Sequence, residues 1–368
     1  MSMMYANMPL DRCSNQRKNK RWLASEFTHQ DTLFCIINDG MSLFSHDDMF
    51  TPVYLRKSQL DFLSIDSCIY LGKGNLDKEY LDQGAKSLES TRVRSLFAVD
   101  FERLRFSTQA ELLNHGQWQN LREITPNLTA LDASIQALAK ALVYWHVTHQ
   151  HCGKCGSTSK SVQAGHARRC AECSNMTFPR TDPAVIMLVE HMFPDGIARC
   201  LLGRQAKWRT GMYSTLAGFV DPGETLEEAV IREVSEETAV VVENPQYITS
   251  QPWPFPASVM LGFTAVATST TIDISKDDLD DCQWFSREQL AGFYAETTLR
   301  HNVGINVSTN VDSNADNTVE ASVKDNGEDG AENSVEPNTE KHKYRLSSGD
   351  SISSYLITAW KNKEIGQY

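Results

Sequence analysis

Two glutamates four residues apart, Glu233 and Glu237, fall on the face of a helix that should be apolar. The surrounding stretch, residues 218–240, reads GFVDPGETLEEAVIREVSEETAV. Asp221-Pro222-Gly223 is a turn, and Thr225 with Glu228 three residues on is a capping box that opens a helix. At 100° per residue from Leu226, Ala229, Val230 and Val234 gather within about 80° and define the buried face. Glu233 and Glu237 project to about 340° and 20°, inside that face. Two inward carboxylates near the C-terminal end of a helix meet a macrodipole of about half a negative charge, which is unfavourable unless something positive joins them. A solvated face accounts for Glu227 and Glu228 but not for this pair. Divalent cations resolve the conflict, and hard oxygen ligands suit Mg2+ or Mn2+. Such ions neutralise charge on phosphate oxygens and orient a water, whose proton either Glu236 or Glu237 could take.

A second constellation is made of sulfur. Cys152 and Cys155 form one CxxC and Cys170 and Cys173 another, with fourteen residues between the pairs. This is zinc-ribbon spacing: four thiolates complete a tetrahedral Zn2+ and give a coreless segment its fold. With all four positions filled by protein, one such ion per chain would be structural. The remaining five cysteines, Cys13, Cys35, Cys68, Cys200 and Cys282, are scattered singly and read as small buried hydrophobes.

The elements that must carry these groups divide the chain into five parts. Residues 1–28 are polar and basic and read as a flexible N-terminus. Residues 29–127 hold short apolar runs, TLFCIIND, SCIYLG and VRSLFAVDF, that suggest a small α/β domain. Residues 128–149 carry Leu131, Ile135, Leu138, Leu142 and Trp145 at helical steps and read as a linking helix. The ribbon occupies 150–178. From 179 to 368, strand-like runs such as AVIMLV and IARCLLG alternate with the carboxylate helix, and SISSYLITAWKNK closes the chain as an amphipathic helix. Within that last part, residues 302–342 are rich in Asn, Ser, Asp and Glu and read as a disordered acidic insertion. The whole is a mixed α+β chain.

Composition narrows the function classes. No run of about 18 apolar residues occurs, which argues against a membrane span, and the absence of a secretory leader pattern points to the cytoplasm. Of the net charge of −12, residues 301–340 contribute nine acids against one lysine, so the rest of the chain is only mildly acidic. That balance disfavours a zinc-ribbon adaptor that grips nucleic acid through its phosphates.

Residues 218–240 resemble the Nudix box, with Gly218, Glu224, Arg232, Glu233, Val234, Glu236, Glu237 and Val240 in register; Ala239 stands where that family has glycine. Downstream, SQPWPFPAS at 250–258 resembles the signature of the NADH pyrophosphatase branch. Three prolines stiffen it, and Trp253 and Phe255 offer flat faces beside Ser250, Gln251 and Ser258, which suits stacking and edge recognition of a ring. The resemblance implies a Nudix α/β/α sandwich preceded by the ribbon and the N-terminal α/β domain. It implies hydrolysis of NAD(H) to AMP and nicotinamide mononucleotide, removal of NAD caps from RNA, and a homodimer. By the same resemblance Glu233, Glu237, the backbone of Ala217 and Asp278 would hold Mg2+ or Mn2+, although the family has glutamate where Asp278 stands, with Asp280 and Asp281 as rivals. Phe178, Phe219, Ser353 and the run Gln251, Pro252, Trp253, Pro254, Phe255, Pro256, Ala257 and Ser258 would bind substrate; Ser353 replaces a family alanine. Another nucleotide, such as ADP-ribose or a dinucleoside polyphosphate, is the alternative substrate.

Overall fold

A computed structural model describes residues 3–60, 62–76, 93–276, 278–295 and 344–368. The expected insertion at 302–342 lies outside the described residues.

The N-terminal part is built on strands β1 (Leu33–Asn38), β2 (Met41–Phe44), β3 (Tyr54–Arg56), β4 (Cys68–Asn75), β5 (Val93–Asp100) and β6 (Gln117–Gln119). They form one sheet in the order β4-β5-β1-β2-β6, with β3 against β1 and the β1–β5 pair parallel. Alternation along β1 sorts its side chains between two cores. Leu33, Cys35 and Ile37 face Ile135, Ala139 and Leu142 of a long helix, whereas Phe34 and Ile36 share a cluster with Phe27, at the end of helix α1 (Lys20–Thr28). Helix α2 (Phe106–Leu112), helix α3 (Leu121–Ile124) and the long helix, α4 (Ala130–Thr148), complete this part.

Two expectations are corrected here. The segment 1–28 is not a flexible tail: it contains α1, and Met4, Tyr5 and Leu10 are buried. Local composition hides this because its few apolar residues are matched to distant partners; Tyr5 bonds Thr125 through its hydroxyl at 2.6 Å and meets Trp253 and Phe255 edge-on. Nor is α4 simply a linking helix. Capped by Thr129, it covers one face of the N-terminal sheet.

Strands β7 (Ser159–Val162), β8 (Ala167–Cys170) and β9 (Met176–Thr177) make the small ribbon sheet. His146 of α4 braces it: its Nε2 bonds Gly165 O at 2.7 Å and its Nδ1 meets Arg168 Nη1 at 2.9 Å. Burial depresses this imidazole to about 4, so it is neutral, donating to the carbonyl and accepting from the guanidinium.

The C-terminal part holds β10 (Asp182–Met192), β11 (Ala198–Gln205), β12 (Met212–Tyr213), β13 (Leu216–Phe219), α5 (Leu226–Thr238), β14 (Val242–Trp253), β15 (Ser258–Ala267), β16 (Leu279–Ser286), α6 (Arg287–Ala291), β17 (Tyr294–Ala295), β18 (Arg345–Leu346) and α7 (Ile352–Lys361). The main sheet runs β14-β15-β10-β11-β16, with β13 on β10 and β10 parallel to β15. The fully apolar centre of β10 explains itself here, because both faces are covered. Val185, Met187 and Val189 pack with Ala229, Val230 and Val234 of α5, while Ile186 and Leu188 pack with Ile352, Leu356 and Trp360 of α7. The result is an α/β/α sandwich. Among the described residues no helix is long and apolar enough to cross a membrane.

Candidate active site

The helix that carries the glutamates starts as its sequence dictates. Thr225 Oγ1 accepts from Glu228 N at 3.2 Å and Glu228 Oε2 accepts from Thr225 N at 2.7 Å, closing the capping box. It ends on Ala239 with φ 59° and ψ 8°, so the left-handed cap is kept although alanine occupies it.

Arg232 organises the acids around it. Its Nη2 and Nε hold Glu224 in a fork at 2.6 and 3.1 Å, its Nη1 reaches Glu233 at 3.0 Å and Glu236 at 2.9 Å, and Nη2 also donates to Phe219 O at 2.8 Å. The hydrogen bond from Arg232 holds the Glu224 carboxyl below its usual range. Glu233 moves the other way, raised by burial against the opposing pull of Arg232. Glu227 is exposed, as is Glu236, whose side chain is 60% accessible. Glu233 is 14% accessible at its side chain and lies directly over Gly218, where an added Cβ would sit 1.9 Å from its Cδ. Gly218 is therefore the cradle for this carboxylate.

One turn on, Glu237 lines a cavity together with Ala217, Leu279, Trp253, Ser353 and Arg122. This cavity joins the two large parts of the chain, since Arg122 comes from α3 and its guanidinium lies 5.6 Å from the Trp253 ring centroid. Arg122 was not singled out from the sequence: it sits in NLREI, a stretch with no local signal, and only tertiary packing brings it to the wall.

Other expected residues are distributed differently. Asp278 is exposed and does not line this cavity. Its rivals are engaged elsewhere: Asp280 pairs with Arg204, and Asp281 accepts from the Tyr213 hydroxyl and from Gln283. Within 250–258, Trp253 alone reaches the cavity. Gln251 is wholly buried with both ends of its amide occupied: Nε2 donates to Met4 O at 3.1 Å and to Asp350 O at 2.9 Å, and Oε1 accepts from Ile352 N at 2.8 Å. It pins the N-terminal segment and the start of α7 to β14, a positioning role in place of the expected edge recognition. Phe255 packs on Tyr5 and Trp253, Pro254 and Ser258 are buried, Pro252 and Pro256 are exposed, and Ala257 O accepts from Asp182 N at 2.9 Å. Phe178 and Phe219 are 60% and 59% exposed and stand outside the cavity wall.

The four ribbon cysteines meet as their spacing requires. Cys152 and Cys173 sulfurs are 3.6 Å apart, Cys155 lies 3.5 Å from both Cys170 and Cys173, and all four ligand atoms lie within 4.8 Å of one another. Tetrahedral zinc with Zn–S near 2.3 Å sets sulfurs about 3.8 Å apart, so the cluster fits a structural Zn2+. Hydrogen bonding from the Ser157 backbone N–H pulls the Cys155 thiol down to about 6, which favours the thiolate such an ion needs. Of the single cysteines, Cys35, Cys68, Cys200 and Cys282 are buried and Cys13 is partly so.

Three family models match the chain in sequence order. Residues 31–145 match the NADH pyrophosphatase-like rudimentary NUDIX domain, 148–178 the NADH pyrophosphatase zinc ribbon domain, and 182–303 the NUDIX domain. The NAD-capped RNA hydrolase NUDT12 of Homo sapiens is 34% identical over 307 residues, 76% of this chain and 65% of that protein. The mitochondrial NAD(P)H pyrophosphatase NUDT13 of Mus musculus is 40% identical over 241 residues, 64% of each chain. The NAD-capped RNA hydrolase NudC of Pseudomonas entomophila (strain L48) is 39% identical over 173 residues, 47% of this chain and 61% of that one. The chain thus spans less than two thirds of the length of these relatives. Among solved structures, a NUDIX hydrolase from Nitrosomonas europaea aligns over 39% of this chain and 81% of its own, with a TM-score of 0.33 and 18% identity.

Proposed function

Since this chain belongs to the NADH pyrophosphatase branch of the Nudix family, with its zinc ribbon, we propose that it hydrolyses the pyrophosphate bond of NAD(H), giving AMP and nicotinamide mononucleotide. The observation that carries this reading is the meeting of Glu237, Ala217, Trp253 and Arg122 on one cavity. An aromatic face and a cation beside a carboxylate suit a ligand that combines a flat ring with phosphates.

Glu233 and Glu237, with the carbonyl of Ala217, are the residues that would hold Mg2+ or Mn2+, and the fit rests on two features: burial that disfavours the Glu233 carboxylate in spite of Arg232, and the side-chain-free space over Gly218 that admits it. When bound, such ions neutralise charge on the phosphate oxygens and activate a water. Arg232 fixes the rotamer of Glu233 and, through its fork to Glu224, ties the loop ahead of α5 to the helix. Because Glu236 is exposed and bound by Arg232, Glu237 is the better base within the cavity. Arg122 would meet a phosphate, and Trp253 would stack on a ring. Asp278, exposed and away from the cavity, has no part in this reading.

Removal of an NAD cap from RNA involves the same bond, and two of the relatives described above carry that activity in their names. We include it in the proposal, together with a homodimer in which a second copy would cover Phe178 and Phe219. Five single cysteines and four gathered for zinc, with no disulfide among the described residues, suit a reducing compartment such as the cytoplasm. The test is incubation of purified protein with NADH, NAD, NAD-capped RNA, ADP-ribose and diadenosine polyphosphates in Mg2+ and in Mn2+. NADH hydrolysed at least tenfold more efficiently than ADP-ribose supports the reading, and the reverse order refutes it.

A further inference from the structure

Two serine hydroxyls meet on the wall of the cavity with Thr215 beside them, and the protons of these three residues outnumber their acceptors. Ser214 Oγ and Ser353 Oγ lie 2.8 Å apart, and the Thr215 N–H donates to Ser353 Oγ at 3.1 Å. The two serines bring two hydroxyl protons, and the bond between them uses one. Ser214 is the donor in that bond, and the Ser353 proton has no acceptor among the described residues. Thr215 Oγ1 likewise bonds to no described residue. Yet Thr215 is 5% exposed and Ser353 3%, beside the apolar Ile186, Leu216 and Met260 of the same wall. Donors kept without acceptors in such surroundings weaken the fold, and apolar side chains of the same size would not.

We infer that Ser214, Thr215 and Ser353 form a subsite that donates hydrogen bonds to an uncharged acceptor, a carbonyl or ribose oxygen, on one nucleoside half of the substrate. Neutral donors beside an apolar stretch of the wall suit such an atom better than a phosphate, whose charge Arg122 and the carboxylate-bound ions would meet. Thr215 presents its hydroxyl by exchanging it with its methyl through a change of χ1. The inference deepens the proposed dinucleotide specificity and rests on it. It makes these residues determinants of which nucleoside fits, because a site built to donate to a polar atom rejects a ligand lacking it.

The test is calorimetric binding of AMP and of nicotinamide mononucleotide to the full-length protein and to its Ser353→Ala and Thr215→Val variants, with thermal unfolding of each. We expect affinity for one of the two mononucleotides to fall about tenfold while the other stays within about twofold, which also identifies the half that is read. Thr215→Val should unfold at the same or a higher temperature, since it removes a buried hydroxyl without a partner and keeps the shape, and Thr215→Ser should restore affinity. Unchanged binding of both mononucleotides in both variants would mean that the hydroxyls serve only ordered water, and overturns the inference. So does equal weakening of both ligands together with lost stability, or a wild-type protein that binds neither. A wild type that binds them but leaves NADH intact defeats the proposed reaction and leaves the hydroxyl subsite standing.

Discussion

The contact between Gly218 and Glu233 offers the sharpest test of the carboxylate site. In Gly218→Ala the new Cβ would lie 1.9 Å from Glu233 Cδ and 2.1 Å from each carboxylate oxygen, where ordinary contact begins at 3.4 Å. The carboxylate must retreat by roughly 1.5 Å, the difference between those distances. Gly218 is not in the left-handed region, so alanine brings no backbone strain, and the obstacle is the far end of a side chain that can rotate away. Stability should therefore change by less than about 1 kcal/mol. Chemistry should not be spared: displacement of a reacting or metal-holding group by about 1 Å costs on the order of 100-fold, and the 3.0 Å bond from Arg232 to Glu233 would be broken as well. The assay is steady-state NADH hydrolysis across a Mn2+ titration, beside thermal unfolding in chelator. Turnover within twofold of wild type would refute the claim that Glu233 must occupy this position. A loss of stability as large as the loss of activity would show instead that Gly218 serves the fold.

Glu233→Gln and Glu237→Gln should each lower turnover by at least about 100-fold, while exposed Glu227→Gln stays within twofold; wild-type rates in both inward variants would remove the metal-site reading. Folding raises the Glu233 pKa, so its stability contribution is present below the unfolded value and is lost as pH rises through the folded one; in chelator above that range Glu233→Gln should match or exceed the wild-type unfolding temperature, and a clear drop would mark Glu233 as a structural partner of Arg232. Purified protein should contain about one zinc per chain, and Cys170→Ser should lower the unfolding temperature before it alters turnover at permissive temperature; folded protein free of zinc by elemental analysis would contradict the ribbon. Ala239→Gly should raise stability by up to about 1 kcal/mol, read as a higher midpoint in urea, and a lower midpoint would mean that the alanine methyl packs usefully in its left-handed turn.

The parts of this site that were legible in the sequence are those whose physics is local. Thr225 and Glu228 cap a helix start through neighbours three residues away, the two CxxC pairs close one metal site within 22 residues, and the 3.6-residue period places Glu233 and Glu237 with Val230 and Val234 whatever the rest of the chain does. Even the departure at Ala239 could be read as a strained cap because the cap needs only its own φ and ψ. What escaped reading depends on groups brought together from far apart. Arg122 enters the cavity from the N-terminal domain, and Gln251, which looked like a reader of ligand edges, is instead occupied by Met4, Asp350 and Ile352. A glutamine's donors and acceptors are the same in either role, so residue type alone cannot assign it; only the count of partners does. The same count separates Gln251 from Ser353 and Thr215. Gln251 has its amide fully engaged and so holds the architecture, whereas the hydroxyl cluster retains donors without acceptors and so has capacity to spare for a ligand. Among buried polar groups beside a cavity, function is to be sought where the protein leaves its own hydrogen bonding incomplete.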